Sequence, residues 1–208
     1  DAPKKQGGIS MVLIDLKTPG ITIRPIMTIA DDEEFAEVFF DDVRVPITNL
    51  VGDLNDGWSV AKALLASERI GNANPQMALQ CLDKLQRVAK ATGAITDPVF
   101  QDKVTQLELD VLAQSAVFAH AVQQAKAGMD IGAGSSFMKI VATENIQRIA
   151  DLMFEAAGNH AADVEPMETE EGPVDVSVLW REVRRITIYA GSSEIQRNIT
   201  AKRVLGLP

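Results

Sequence analysis

Two places in this chain combine residue types in a spacing that can do chemistry. The first is Gly191-Ser192-Ser193-Glu194-Ile195-Gln196, close to the last residue. Ser193 followed three residues later by Gln196 fits a capping box, with Ser193 as N-cap and Gln196 reaching back. Gly191, just upstream, permits a turn that other residues resist. A helix is therefore expected to start near Ser192 or Ser193. Its first N–H groups lack partners and its dipole end is positive, so it can receive a phosphate or an electron-rich ring edge. A cap that serves only its helix meets the same pattern, and most helices need one. The second place is Glu68, which continues a stripe of Trp58, Ala61 and Leu65 at helical spacing. A carboxylate on an otherwise apolar face loses solvent, which raises its pKa toward duty as a general base. A glutamate paired with a bundle arginine, or lying at the wet edge of the stripe, fits equally well, and structural ion pairs outnumber catalytic carboxylates.

The elements that must position these residues fall into two parts. Residues 1–52 read as β and residues 53–208 as helical. Ile9 to Asp15 is an apolar run of strand length. Thr18-Pro19-Gly20 is a turn signal. Ile21 to Ile26 alternates with period two, with Pro25 pushing it toward a sheet edge. Ala36 to Phe40 and Val43 to Val45 are further short strands, the last ended by Pro46. From Gly57 the pattern becomes helical and continues through Leu79, Leu82 and Leu85, with a kink expected at Pro75 and a break at Thr92-Gly93. Asp97-Pro98 is a helix start, with Val104, Leu107 and Val111 inward and Gly128 as the stop. A further helix is expected from about Ser135 to Ala157, with Met138, Val141, Ile149 and Met153 inward and Gly158-Asn159 ending it. Residues 160–174, acidic and proline-containing, read as a surface loop. A helix over Val176 to Ile186 and the capped helix follow. The fold class is mainly α: an antiparallel up-and-down helical bundle preceded by a partial antiparallel β-domain.

Composition removes several functions. The chain has 208 residues, is 46% hydrophobic and carries a formal net charge of −9. That excess of acid argues against nucleic acid, which needs clustered Lys and Arg, and against an anionic membrane surface. A single cysteine, Cys81, excludes an internal disulfide framework and reads as a small core residue. His120 and His160 make no zinc-type spacing, so no metal is expected. No apolar stretch has the length of a membrane span and no signal-like segment is evident, so a cytoplasmic protein is the default. The opening Asp1-Ala2-Pro3, without a Met and running directly toward a strand, reads as a chain whose N-terminal part is not included.

The closing segment, Ile188-Tyr189-Ala190-Gly191-Ser192-Ser193-Glu194-Ile195-Gln196-Arg197-Asn198-Ile199 with Ala201 to Pro208, resembles the C-terminal flavin-contacting segment of the acyl-CoA dehydrogenase family. Glu37 to Pro46, Asn49-Leu50-Val51-Gly52 and Gly57-Trp58 resemble the family's passage from β-domain to C-terminal bundle, and Gly8 to Asp15 resembles its middle β-domain. The similarity spans nearly the whole chain. It implies removal of an α-proton and a β-hydride from an acyl-CoA thioester, giving a 2-enoyl-CoA, within fatty acid metabolism. FAD is the implied cofactor and an electron-transfer flavoprotein, or a similar acceptor, the implied partner. A homo- or hetero-oligomer is implied as well. In one branch the base follows the Tyr of the closing segment, where this chain has Ala190. In the other branch it precedes an Arg on the first long bundle helix, where this chain has Glu68-Arg69. The resemblance therefore makes Glu68 the base and puts Arg69 on the substrate side. Ala190 then offers its backbone N–H to the thioester carbonyl, a role that survives loss of the side chain. Gly191, Ser192, Ser193 and Glu194 fall where the family contacts FAD, and Gly158 matches a glycine that approaches the adenine end of a neighbouring subunit's flavin. The sequence departs from the family around Phe154-Glu155, and Thr92 to Pro98 lacks the familiar Arg-x-x-Phe-Gly entry. The N-terminal helical domain implied to be missing supplies much of the flavin and substrate pocket, so this chain alone is expected to bind FAD weakly and to be inactive. A non-catalytic subunit or helical assembly module of a heteromeric dehydrogenase, and a flavin oxidase of the same fold, are the alternatives.

Overall fold

The computed structural model describes residues 3–129 and 131–208, and the side chains of residues 65–70 lie outside what it describes. The chain divides into two compact units, Asp1–Glu68 and Arg69–Pro208.

In the first unit, β1 (Met11–Val12) pairs antiparallel with β4 (Leu50–Val51), and β2 (Ile21–Ile26) pairs antiparallel with β3 (Phe35–Phe40). Ile21 lies opposite Phe40, and Pro25 lies opposite Ala36. Each strand of a two-stranded ribbon is an edge, so Pro25 removes no hydrogen bond to a third strand. The turn into β2 needs glycine at Gly20, where φ is +92° and a Cβ would run into the Asp41 carbonyl oxygen. Val43 to Val45 forms no strand; Pro46 instead leads into a short 3-10 turn at Ile47–Asn49. The strand expected over Ile9 to Asp15 shrinks to β1. Helix α1 (Gly57–Gly71) is anchored at its start, where the Gly57 N–H donates to Ile9 O at 2.8 Å. A Cβ at Gly57 would meet the backbone of Ser10 at 2.6 Å, so only glycine lets the two backbones approach this closely.

The second unit is a helical bundle of α2 (Gln76–Thr92), α3 (Pro98–Lys126), α4 (Gly134–Ala157), α5 (Val176–Glu182) and α6 (Ser193–Arg203). Pro75 does not kink one long helix. It separates two, because α1 stops at Gly71 and Asn74 Oδ1 accepts from Gln76 N at 3.0 Å to open α2. Proline disfavours helical geometry in its predecessor, and the glycine and two asparagines of Gly71-Asn72-Ala73-Asn74 are poor helix formers, while Ala73 is buried in the break. Asp97 caps α3 by accepting from Val99 N at 2.9 Å, with Pro98 in the first turn.

Helix α4 packs against α2, α3, α5 and α6. Ladder contacts fix α3 and α4 as antiparallel: Lys103–Glu155 at 2.6 Å, Asp110–Arg148 at 2.6 Å and Gln114–Asn145 at 3.1 Å, one number rising as the other falls. The core joins Leu85 and Val88 of α2, Val104 and Val111 of α3, Ile149 and Met153 of α4, and Val183 and Ile186 beyond α5. The α2 stripe is Ala78, Cys81, Leu82, Leu85 and Ala89, whereas Leu79, one residue out of phase, is exposed. Val141 is only half-buried. The segment 160–174 is not wholly a surface loop: Met167 and Val174 form an antiparallel bridge, Val174 is buried, and Arg87 Nη2 donates to Gly172 O at 2.7 Å. Helix α5 gives way at Val183–Thr187 to a 3-10 turn instead of continuing to Ile186.

Candidate active site

The turn before α6 is built from its neighbours inward. Val183 and Ile186 bury the preceding 3-10 turn, and Gln147 of α4 donates from Nε2 to Val183 O at 2.9 Å. The Ile188 and Tyr189 N–H groups both go to Arg185 O, at 2.9 and 3.1 Å. The chain then takes two left-handed residues in succession, Ala190 at φ +53° and Gly191 at φ +88°. A side chain in this region costs roughly 1–2 kcal/mol, so Ala190 is held there by its surroundings. The holder is Gln196, fully buried, whose Nε2 donates to Ala190 O at 3.1 Å and Gly191 O at 3.3 Å. A Cβ on Gly191 would run into that same amide.

Ser192, and not Ser193, is the cap of α6. Ser192 has extended geometry (φ −59°, ψ 156°) and its Oγ accepts from Ile195 N at 3.5 Å, while Ser193 is already in the helix. Gln196 does reach back, but to the carbonyls of the left-handed pair instead of an N–H. Glu194 is held below the usual carboxylate range by its own backbone N–H, then by the Ser192 hydroxyl, with Arg197 and Lys139 adding to the effect. Among the described residues, no acceptor takes the N–H of Ala190, Gly191, Ser192 or Ser193. Ser193 is buried and its Oγ lacks a partner. The turn thus presents a row of unmatched donors at the positive end of an 11-residue helix.

Glu68 and Arg69 fall within the span of α1, but their side chains lie outside the described residues. Gly158 ends α4 at φ +55°, is exposed, and has open space where a Cβ would be. The residues before it have structural work: the Phe154 ring lies 5.2 Å from that of Trp180, and Glu155 pairs with Lys103. Thr92 to Pro98 is likewise closed on itself, with Thr96 Oγ1 donating to Gly93 O at 2.7 Å. Cys81 is a core residue, its thiol pushed up to about 11 by burial. Among the described residues no cluster of His, Cys, Asp or Glu could hold a metal, and no helix is long and apolar enough to cross a membrane. A cavity of about 370 Å³ opens between α3 and α4, lined by Val117, Phe118 and Phe137, and it includes none of the turn residues.

Sequence reasoning missed Lys139. It is fully buried on α4, and its Nζ has no hydrogen-bond partner. Burial pushes the ammonium below its ordinary range, against the opposing pull of Glu194 and Glu144. The signal available was a lone cation inside the apolar run Phe137-Met138-Lys139-Ile140-Val141.

Residues 55–205 match the family model of the acyl-CoA dehydrogenase C-terminal domain. The chain is 33% identical over 211 residues to the acyl-CoA dehydrogenase IpdE1 of Mycolicibacterium smegmatis, covering 99% of this chain and 50% of that protein. It superposes on the steroid ACAD Tcur3481-Tcur3483 with a TM-score of 0.86 at 22% identity, covering 100% of this chain and 54% of the other, a likeness of fold. It superposes on the ChsE4-ChsE5 complex from Mycobacterium tuberculosis with a TM-score of 0.82 at 25% identity, covering 100% and 55%. The chain spans about half the length of these proteins.

Proposed function

The chain belongs to the acyl-CoA dehydrogenase family, matching its C-terminal domain, and from that premise we propose that it is the bundle end of an FAD-dependent enzyme. The reaction is the α,β-dehydrogenation of an acyl-CoA thioester to a 2-enoyl-CoA. The observation that carries this reading is the turn at Ala190 to Ser193, with its unmatched N–H row and the orphaned Ser193 Oγ. Such a donor set fits a cofactor rich in acceptor atoms. Gly191, Ser192, Ser193 and Glu194 would hold FAD, and by resemblance Gly158, which has open space where a Cβ would be, would approach the adenine end of a partner copy's cofactor. Bound FAD supplies the hydride acceptor.

The chain's own residues divide the remaining work. Glu68 takes the α-proton, a role assigned by resemblance. Arg69 holds the substrate side. The unclaimed N–H of Ala190 donates to the thioester carbonyl, where negative charge grows as the proton leaves. The left-handed backbone at Ala190 sets the direction of that N–H, so the role needs no side chain. An electron-transfer flavoprotein or similar carrier takes the electrons, and the working form is an oligomer in the cytoplasm.

The test is turnover by the full-length protein on a panel of acyl-CoAs with an artificial electron acceptor, wild type against Glu68→Gln. Loss of turnover with the yellow flavin retained is expected, and unchanged turnover removes Glu68 as the base. A second reading is favoured by Ala190 itself, which stands where one branch carries its glutamate. Similar solved proteins include the two-component assemblies Tcur3481-Tcur3483 and ChsE4-ChsE5. On that reading the chain belongs to a non-catalytic subunit, and a flavin-loaded wild type inert on every substrate would favour it.

A further inference from the structure

Helices α4 and α6, which pack against each other, bury more polar atoms than they satisfy. Lys139 and Ser136, one turn apart on α4, are fully buried, and neither Lys139 Nζ nor Ser136 Oγ has a hydrogen-bond partner. On α6, Ser193 and Gln196 are one turn apart and buried, and Ser193 Oγ and Gln196 Oε1 are likewise without partners. Buried polar groups are normally paired, and a buried charge is costly unless it is. Three ammonium protons and two hydroxyls stand against one purely accepting atom, so the layer carries a surplus of donors.

The charges sharpen the point. The carboxylates that act on Lys139 are Glu194, in the first turn of α6, and Glu144. Neither hydrogen-bonds the Lys139 Nζ: Glu144 contacts Arg197, and Glu194 keeps its charge on the neutral donors of its own N–H and Ser192, with Arg197 and Lys139 acting on it from further off. Lys139 therefore places a cation near the end of α6 that is already positive. Two positive sources in one place raise the cost of the empty site and lower the cost of a negative group that enters it.

We propose that Lys139 is a positioning residue that charges the Ala190–Ser193 turn for a negatively charged part of the flavin cofactor. The inference rests on the reading of the turn as the flavin-contacting segment. Lys139, out of solvent, acts through the field it adds behind the row of free N–H groups. The shared chemistry is negative charge on the cofactor, from either the pyrophosphate or the ring once it has accepted a hydride, since charge near the ring tunes its potential.

The test uses the full-length holoprotein, with FAD affinity and flavin midpoint potential measured for wild type, Lys139→Gln and Lys139→Arg. If the charge serves the ring, Lys139→Gln disfavours the reduced cofactor about tenfold relative to the oxidised one, a fall of about 30 mV, and Lys139→Arg restores most of it. If it serves the pyrophosphate, Lys139→Gln weakens oxidised and reduced FAD alike by about tenfold and leaves riboflavin binding unchanged. Should Lys139→Gln not fold, Lys139→Met carries the same measurement. Wild type gives a check that needs no variant: its bound flavin is expected to be easier to reduce, or its FAD to bind far more tightly than riboflavin. Neither effect in wild type, or affinity and potential both unmoved in a folded neutral variant whatever its melting temperature, overturns the inference. A wild type that binds no flavin overturns the proposed function as well, which separates the two failures.

Discussion

The two halves of α4 are built on opposite principles. Its C-terminal half buries Ile146, Ile149, Ala150, Met153, Ala156 and Ala157, all apolar. Its N-terminal half buries Ser135, Ser136, Lys139, Thr143 and Asn145 among its apolar residues. The first half-helix met, in chain order, is the one that leaves Ser136 and Lys139 unpaired. The later half buries only apolar side chains and joins the continuous core with α2 and α3. A helix that needed only to hold a bundle together would be apolar along its buried length. The unsatisfied half is the half that meets α6, through Glu144 against Arg197 and Lys139 near Glu194, so on the proposed reading stability and function fall on different stretches of one element.

That contrast can be broken at graded cost. Ile149→Ala opens a cavity in the dry half and is expected to cost about 2–5 kcal/mol, read as a lowered urea midpoint at unchanged slope. Lys139→Met should do the reverse. It removes a buried unpaired group and keeps its volume, so the chain should gain about 1–3 kcal/mol, even as the proposed cofactor interaction weakens. A loss of the same size as that of Ile149→Ala would mean that Lys139 is an ordinary structural residue.

The pH dependence follows from the lowered pKa of Lys139. Between the folded-state pKa and 10.5 the unfolded chain binds more protons at this residue than the folded one does, so stability rises with pH in that window. Below the folded-state pKa the burial penalty is present in full. The advantage of Lys139→Met should therefore be largest at neutral pH and shrink as pH approaches 10.5, as urea melts at two pH values would show. Within the turn, Gly191→Ala meets both a left-handed φ and the Gln196 amide, and a loss of about 1–2 kcal/mol is expected. Ala190→Gly relieves strain of the same origin and should gain up to about 1 kcal/mol. The smallest effect belongs to the Glu144–Arg197 pair, part-exposed on both sides. Its double-mutant coupling should be about 0.2–1 kcal/mol and fall with added salt.

The sequence revealed structure where local chemistry decides it. Asp97-Pro98 starts α3 because a cap and a proline act within one turn, and the apolar periodicity of Val104, Leu107 and Val111 marks their buried face. Long-range contacts overrode it elsewhere. Residues 160–174 look polar, yet Arg87 of α2 draws Gly172 inward and Val174 enters the core. At the site, the Ser193-to-Gln196 spacing marked the helix start correctly to within one residue. It could not show which serine caps, because that depends on Gln196 being drawn to the Ala190 and Gly191 carbonyls. Lys139 escaped because periodicity treats a charge as surface, and only packing reveals one that is not.

The most direct test of the turn as the cofactor's seat is amide hydrogen exchange on the full-length protein, with and without FAD. Four successive N–H groups, Ala190 to Ser193, have no acceptor among the described residues, whereas those in the middle of α2 are already in helical bonds. FAD is expected to slow exchange at Gly191 to Ser193 and to leave the α2 interior unchanged, with the Ala190 N–H slowed only when an acyl-CoA is bound as well. Equal exchange at Gly191 to Ser193 in both states, with FAD shown to be bound, would contradict that assignment.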